Sequence, residues 1–516
     1  MTGPRKAFPE ILRLFRDGKP TDRGYVVLSA ILLALCFFPS PLWDAVRPAL
    51  AWVALAPLYL VLRNLPGDLR PRLRSAAGSG YLFGLLLHLV GAYWLTNLVP
   101  EWPLAVLPYA SVAVIEALWF ALFALGFSVA GPRGPAAPWL FAALWTVFEW
   151  LRTLGAYAFP WFPLAATQVP WTPMLAICSV TGQWGLSFAL ALTGAWVGER
   201  IAEGKRDARG WPVIGTVPAA LAIGGAVALS NTPGAIGTAT VAVAQASYGG
   251  IYPEESLKAY LELAREAVAA NGRPLDLVVM PESTFWDELL RRSDAWPAVS
   301  GTAATLQTSI LLGTEETEGK RRFNVGMLVG RQGDYVASAR KIKIVPLGEF
   351  FPFREVLGPI YAQFPTGNND LTPGDRPGVL RLPDSDVVAG TLICYESAFG
   401  WRARQEALAG AVLLTVITND AWFGNSAGPL QHADLASLRA AETGRAVARA
   451  ATSGESRLID PAGRVLATIP LLERGTQTAT LPLRNDRTLY VRFGDWFLAV
   501  CISLLIYAAY RNRQSH

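Results

Sequence analysis

Eight apolar segments punctuate the chain, near 24–39, 49–63, 76–97, 106–130, 137–152, 174–198, 211–229 and 493–510. A helix that crosses a bilayer needs about 20 mostly apolar residues. Segments 24–39, 49–63 and 137–152 are short by that measure; the others pass it. Between the seventh and eighth segments the texture changes. Strand-like runs read ATVAVAQ (239–245), LDLVVM (275–280), SILLG (309–313), NVGMLVG (324–330), VVAGTLI (387–393) and AVLLTVIT (411–418). Residues 254–269 have helical spacing through Leu257, Tyr260, Leu261 and Leu263. RLIDPAGRVLA (457–467) reads as a hairpin around Asp460-Pro461-Ala462-Gly463. The pattern predicts a polytopic α-helical membrane domain over 1–229 with about seven transmembrane helices. A globular α+β or α/β sandwich domain, large enough to bury its own core, follows over 230–490. A last transmembrane helix and tail fill 491–516.

Charge gives this arrangement a direction. Arg5, Lys6, Arg13, Arg16, Lys19 and Arg23 precede the first segment. Arg63, Arg70, Arg72 and Arg74 follow the second, Arg133 the fourth, Arg200, Lys205, Arg206 and Arg209 the sixth, and Arg511 and Arg513 the last. The intervening loops are nearly free of Lys and Arg, with only Arg47 in 40–48 and none in 98–105. Under the positive-inside rule both termini face the cytoplasm and 230–490 lies outside it. Basic residues ahead of the first segment imitate a signal peptide, but the apolar segments that follow favour an anchor. Apolar residues make up 52% of the chain and charged ones 16%, too little charge for an ordinary soluble protein. The net charge of +5 sits beside apolar runs, so it reads as membrane orientation and gives no footprint for nucleic acid.

Three motifs end strand-like runs: VVMPESTFW (278–286) with Glu282, KIKIVPLGEFFPF (341–353) with Lys341 and Glu349, and GTLICYESAF (390–399) with Cys394, Tyr395 and Glu396. Strand ends are rigid platforms for reacting side chains. Of four cysteines, Cys36, Cys178 and Cys501 fall in apolar runs and Cys394 stands alone in the polar region. No internal disulfide and no Cys/His zinc spacing follows, and no metal or redox cofactor is implied. A thiolate is the reactive form of cysteine, a carboxylate can take its proton, and a lysine can stabilise both the thiolate and an oxyanion. Read alone, Cys394 would be an ordinary buried thiol and Lys341 an edge-strand lysine; the three motifs together argue otherwise. Lys341 and Lys343 would share one strand face, which does not choose between them.

The three motifs together resemble the nitrilase superfamily, whose centre is a Glu-Lys-Cys triad in that order. The apolar segments on both sides narrow the likeness to the apolipoprotein N-acyltransferase family, as do EWLRT (149–153), AFPWFPLAATQ (158–168) and TNDAWFGNSAGPLQHADLASLRAAETGRAVARAATSG (418–454). The resemblance implies a nitrilase-like α-β-β-α sandwich for 230–490. It implies Cys394 as nucleophile, Glu282 as general base and Lys341, four residues before Val345-Pro346-Leu347-Gly348-Glu349, as the stabilising cation. Glu349, Tyr395 and Glu396 would support them. The implied partners are a phospholipid acyl donor, a diacylated apolipoprotein acceptor and the surrounding membrane lipids, with the chain acting as a monomer. The implied location is multi-pass in a bacterial inner membrane, with the catalytic domain on the periplasmic side.

The resemblance implies transfer of a fatty acyl group from the phospholipid to the apolipoprotein's N-terminal amine through a thioester at Cys394; that thioester must be kept from water, so an apolar lidded pocket is expected. The aromatic run 350–367, including Phe350 and Phe351, supplies one candidate lid; Trp286, Trp422 and Phe423 lie in others. Glu116, Glu149 and His88 are the notable polar groups among the apolar segments, with Glu149 and Arg152 expected to pair at headgroup level. His432 reads as structural. Two other functions use the same residues: a membrane-tethered amidase with water as final acceptor, and a lipoprotein-binding module without activity. The intact Glu282, Lys341 and Cys394 speak against the second.

Overall fold

The computed structural model describes residues 22–65, 67–98, 106–130, 134–203, 211–230, 234–246, 253–350, 358 and 370–514. The first apolar segments become α1 (Asp22–Leu35), α2 (Arg47–Ala51), α3 (Ala56–Arg63), α4 (Leu69–Gly91), α5 (Val106–Ala130) and α6 (Ala137–Leu151). After them come α7 (Thr172–Leu175), α8 (Cys178–Thr181), α9 (Gln183–Ala202) and α10 (Trp211–Ser230). Among the described residues, two helices, α4 and α5, are long and apolar enough to cross a membrane by themselves. They approach closely because Gly80 and Gly84 stack on one face. A Cβ at Gly80 would sit 2.2 Å from the Phe120 carbonyl oxygen, and one at Gly84 2.7 Å from the Phe120 ring.

Two apolar segments differ from single spans. Segment 49–63 is split into α2 and α3. Segment 174–198 breaks at Gly182, where the α7–α8 stretch meets α9 at 118°. Gly182 has φ +65°, and an added Cβ would lie 2.8 Å from the Tyr490 ring, so only glycine fits that corner. The expected pairing of Glu149 with Arg152 does not occur. Both are buried, so each must find its own partners. Arg152 Nε donates to Glu116 at 2.8 Å, and its Nη2 meets His88 Nε2 at 3.2 Å and the Trp161 carbonyl at 3.1 Å. Glu149 accepts from Ser187 Oγ at 2.6 Å and from Trp145 Nε1 at 3.1 Å.

The α/β domain alternates as its sequence runs do. One six-stranded sheet contains β1 (Gly237–Gln245), β2 (Leu277–Val279), β3 (Ser309–Glu318), β4 (Arg321–Val329), β5 (Tyr335–Arg340) and β12 (Gly475–Leu483), in the order β12-β1-β2-β3-β4-β5. The other contains β6 (Val379–Arg381), β7 (Val388–Ile393), β8 (Leu413–Thr418), β9 (Ala446–Ala451), β10 (Ser456–Ile459) and β11 (Val465–Ile469), in the order β11-β10-β9-β8-β7-β6. In each sheet the central three strands, β1-β2-β3 and β7-β8-β9, are parallel. The period of two sorts the side chains. Val241, Val243 and Leu311 face Ile393, Leu413 and Ile417 between the sheets. Ala242, Ala244 and Ile310 face outward under α11 (Pro253–Asn271) and α12 (Ala295–Leu306). Leu392, Leu414 and Val447 face outward under α13 (Gly400–Leu408) and α14 (Gly428–Thr443). The result is a four-layer α-β-β-α sandwich.

Helix α14 is buried along its length except at Leu430. One side covers the second sheet; the other meets the apolar helices, with Leu435, Leu438 and Ala441 joining their core. After β12 come the short α15 (Leu489–Phe493) and the apolar helix α16 (Trp496–Gln514).

Candidate active site

Two of the motifs leave the C-terminal ends of the parallel strands β2 and β7, and the third leaves the end of β5, an edge strand antiparallel to β4. Glu282 follows β2. Gly313 of β3 passes beneath it, where a Cβ would lie 2.5 Å from Glu282 Cα. Lys341 follows β5. The strand ends at Arg340, so Lys341 and Lys343 do not share a strand face as expected. Lys341 turns inward and is 1% exposed; Lys343 reaches the Gly155 and Ala156 carbonyls of the loop after α6. Cys394 follows β7 at a sharp turn with φ +53°, a left-handed conformation that costs a non-glycine residue about 1–3 kcal/mol and marks functional turns.

The polar centre is tightly paired. Lys341 Nζ donates to Glu282 Oε1 at 3.1 Å and to Glu349 Oε1 at 2.5 Å. Asn324 Nδ2 donates to Glu282 Oε1 at 2.7 Å, and the Asn419 backbone N–H to Glu282 Oε2 at 2.8 Å. Glu349 Oε2 accepts from the Val345 N–H at 2.8 Å, closing the loop that carries it. Burial pushes the Cys394 thiol well above the ordinary thiol range; the Glu282 charge adds to this and Lys341 opposes it. Burial alone would lower Lys341, but Glu282 and Glu349 outweigh it and hold the ammonium well above the ordinary lysine range. Burial raises Glu349, against the pull of Lys341. The resting pair is therefore a neutral thiol and a charged lysine, so the thiol must lose its proton as it reacts.

Tyr395 and Glu396 work from the turn outward. Glu396 is fully buried and accepts from the backbone N–H groups of Ile342 at 2.8 Å, Lys343 at 3.0 Å and Ile393 at 2.9 Å, and from Arg402 Nε at 3.0 Å. One carboxylate thus fixes the Cys394 turn against the backbone that follows Lys341. The Tyr395 hydroxyl donates to the Ala158 carbonyl, and its ring stacks on Trp161 at 6.4 Å and 14°. Phe423 packs on Trp94 at 4.6 Å. Trp286 and Trp422 are exposed. Phe350 lies 6.4 Å from Tyr157. Phe351 and most of 350–367 fall outside the described residues.

Beneath the nucleophile lie His432, expected from the sequence to be structural, and residues to which the sequence gave no individual role. His432 Nε2 stands 3.2 Å from the Cys394 carbonyl oxygen and 2.9 Å from Ser397 Oγ, and Nδ1 stands 3.0 Å from Asp420 Oδ1. Asp420 also pairs with Arg449. Burial alone would raise Asp420, but Arg449 and His432 hold its carboxyl below the usual range. Asn419, Asp420 and Arg449 lie inside the 418–454 stretch, which gave them no individual role, and Asn324 opens the NVGMLVG run with no motif of its own. Among the described residues, no group of three or more His, Cys, Asp or Glu is placed to hold a metal ion.

The two facing sheets form the fold of a carbon-nitrogen hydrolase, and the Carbon-nitrogen hydrolase family model matches residues 240–488. The model of the Apolipoprotein N-acyltransferase N-terminal domain matches residues 29–196. The Apolipoprotein N-acyltransferase of Geobacter metallireducens is 32% identical over 96% of this chain and 96% of its own length. That of Azotobacter vinelandii is 30% identical over 93% of each. The chain belongs to the apolipoprotein N-acyltransferase family. Among solved structures, a Nesterenkonia amidase of the nitrilase superfamily is 21% identical, with a TM-score of 0.40, covering 51% of this chain and 96% of that one.

Proposed function

We propose that this protein transfers a fatty acyl group from the sn-1 ester of a membrane phospholipid to the α-amine of an N-terminal S-diacylglyceryl-cysteine on apolipoproteins, through a thioester at Cys394. The observation that carries this is the Lys341–Glu282–Glu349 centre beside a Cys394 turn packed against Trp161 and, through Phe423, Trp94, which stand in the segments that follow α6 and α4. Glu282 takes the thiol proton while Sγ attacks the ester carbonyl carbon, and Lys341 donates to the developing oxyanion. As the tetrahedral centre collapses, the glycerol oxygen leaves with the proton from Glu282 and a lysophospholipid is released. The lipoprotein amine then attacks the thioester carbonyl, gives a proton to Glu282, and expels Sγ, which regains that proton. An ester and an amine become an alcohol and an amide, with the enzyme unchanged. Tyr395, Trp161, Trp94 and Phe423 exclude water between the two steps.

The donor is reached from the outer leaflet, with 230–490 on the periplasmic side of a bacterial inner membrane and the helices of 1–229 and 491–516 as its multi-pass anchor; the alternation of basic and neutral loops supports this. The test is purified protein mixed with phosphatidylethanolamine and a diacylated lipopeptide. A triacylated lipopeptide on a gel is the expected product. Free fatty acid in its place would make the protein a tethered amidase-type hydrolase, and neither product would make it a binding module.

A further inference from the structure

Cys394 sits in a conformation that a cysteine does not adopt unaided. Its left-handed φ of +53° persists only where neighbouring groups over-determine it. The peptide plane that turns with its ψ carries the Cys394 carbonyl oxygen, and two side chains meet there. Ser397 Oγ donates to that oxygen at 3.0 Å, His432 Nε2 stands 3.2 Å from it, and Nε2 and Oγ are 2.9 Å apart. A hydroxyl has one hydrogen and a carbonyl only accepts. With the Ser397 hydrogen spent on the carbonyl, every contact in this triangle is attractive when Nε2 donates.

The far side of the ring is held as firmly. Nδ1 faces Asp420 Oδ1 at 3.0 Å. The same oxygen accepts from Thr418 Oγ1 at 2.8 Å, and the Thr418 hydroxyl also bonds the Cys394 side chain. Asp420 Oδ2 pairs with Arg449, and Gly454 comes so close that a Cβ there would sit 2.3 Å from it. One carboxylate thus reaches the cysteine twice, at its carbonyl through His432 and at its sulfur through Thr418. All of these side chains are buried, where unscreened hydrogen bonds hold geometry best. The imidazole packs on Trp161 at 5.5 Å and on Phe423 at 6.1 Å. The residue before it, Gln431, ties α14 to the apolar helical part of the chain, accepting from Trp94 Nε1 at 3.0 Å and donating to the Phe37 carbonyl at 2.8 Å.

We propose that His432, oriented by Asp420, is a positioning residue for the acylation of Cys394: it holds the carbonyl of the nucleophile turn so that Sγ meets the ester carbon beside Lys341. This rests on the acyl-transfer reading. His432 acts on the backbone of Cys394, so its loss slows the attack and leaves donor binding as it was. The experiment is single-turnover acylation of the full-length, detergent-purified protein by phosphatidylethanolamine, read by intact mass over a range of phospholipid concentrations. His432→Leu is expected to lower the maximal acylation rate on the order of 10²-fold, the usual effect of an ångström of misplacement, with the half-saturating phospholipid concentration unchanged. His432→Gln keeps a donor where Nε2 stands and is expected to recover about tenfold of that loss, the worth of about one hydrogen bond. Ser397→Ala removes the hydroxyl and leaves the direct contact from Nε2, and is expected to slow the maximal rate by about tenfold; it decides the matter if His432→Leu does not fold. Wild-type acylation in these folded variants, a loss confined to the half-saturating concentration, or a His432→Gln as slow as His432→Leu overturns the proposal. Failure of the wild-type chain to accept an acyl group from the phospholipid overturns the parent reading, and is seen before any variant is made.

Discussion

Replacing Lys341 with methionine keeps the stem and removes the ammonium that sits 3.1 Å from Glu282 and 2.5 Å from Glu349. Two consequences follow, on two different scales. The first is stability. Lys341 is buried, and removing one partner of a buried ion pair costs about 3–5 kcal/mol because the other charge is left without compensation. Glu349, already raised by burial, can take up a proton, and this places the expected loss at the lower end of that range. The sign with pH is defined. Lys341 is raised in the folded state, so its contribution is fully present below the unfolded lysine pKa of about 10.4 and fades only as pH rises through the folded value. The variant should therefore be less stable across the whole neutral range. The second consequence is rate. Loss of one oxyanion donor lowers the rate about 10²–10³-fold. Lys343→Met is the control: it loses the contacts to the Gly155 and Ala156 carbonyls and the approach of Nζ to the Phe399 ring at 5.2 Å, none of them to Glu282 or Glu349, and should cost about 0.5–1.5 kcal/mol. The assay is single-turnover acylation by phospholipid in parallel with thermal unfolding in detergent. Equal losses of acylation in the two lysine variants, or wild-type acylation in Lys341→Met, would refute the reasoning.

Three further outcomes follow from the same geometry. Glu349 has its folded pKa raised, so the folded state holds a proton that the unfolded state has lost, and stability falls as pH rises from about 4.3 through the folded value; Glu349→Gln should flatten that part of a stability–pH curve measured by thermal unfolding. Asp420→Asn leaves Arg449 buried without its counter-charge and should cost about 3–5 kcal/mol; an unchanged unfolding midpoint would show that the pair contributes nothing. Gly313→Ala pushes a Cβ to within 2.5 Å of Glu282 Cα and should destabilise by about 1–3 kcal/mol, with a loss of acylation that Gly301→Ala, where a Cβ meets nothing within 4 Å, does not share.

The sandwich was legible wherever strands were rich in β-branched residues. LVV, SILLG, VAGTLI and LLTVIT all stand in sheets, and the Asp460–Gly463 turn joins β10 to β11. Strand β9, AVARAA, was not legible: alanine and arginine have little strand preference. It pairs on both sides, with β8 and β10, because Ala446, Ala448 and Ala450 let the two sheets approach and Arg449 finds Asp420. Strand β12 pairs with β1 through Thr476, Thr478 and Thr480, with Gln477 and Ala479 between them, a run that carries no strong apolar signal. At the site, the motifs named Glu282, Lys341 and Cys394, but spacing could not separate Lys341 from Lys343. Their difference lies in where β5 stops and in the Glu396 carboxylate that gathers the N–H groups of Ile342 and Lys343. The partners of Asn324, Asn419 and Gln431 were beyond reach, although the last two stand in the 418–454 stretch, because those partners lie far away in sequence; Gln431 and Phe37 are 394 positions apart.

The account depends on a fatty acyl group resting on one sulfur. Wild-type protein mixed with phosphatidylethanolamine, without lipopeptide, and measured by intact and peptide mass spectrometry should gain a single acyl mass on the peptide that contains Cys394. Hydroxylamine should remove it, and Cys394→Ala should never acquire it. An acyl mass that resists hydroxylamine, that maps to another residue, or that persists in Cys394→Ala would contradict the account.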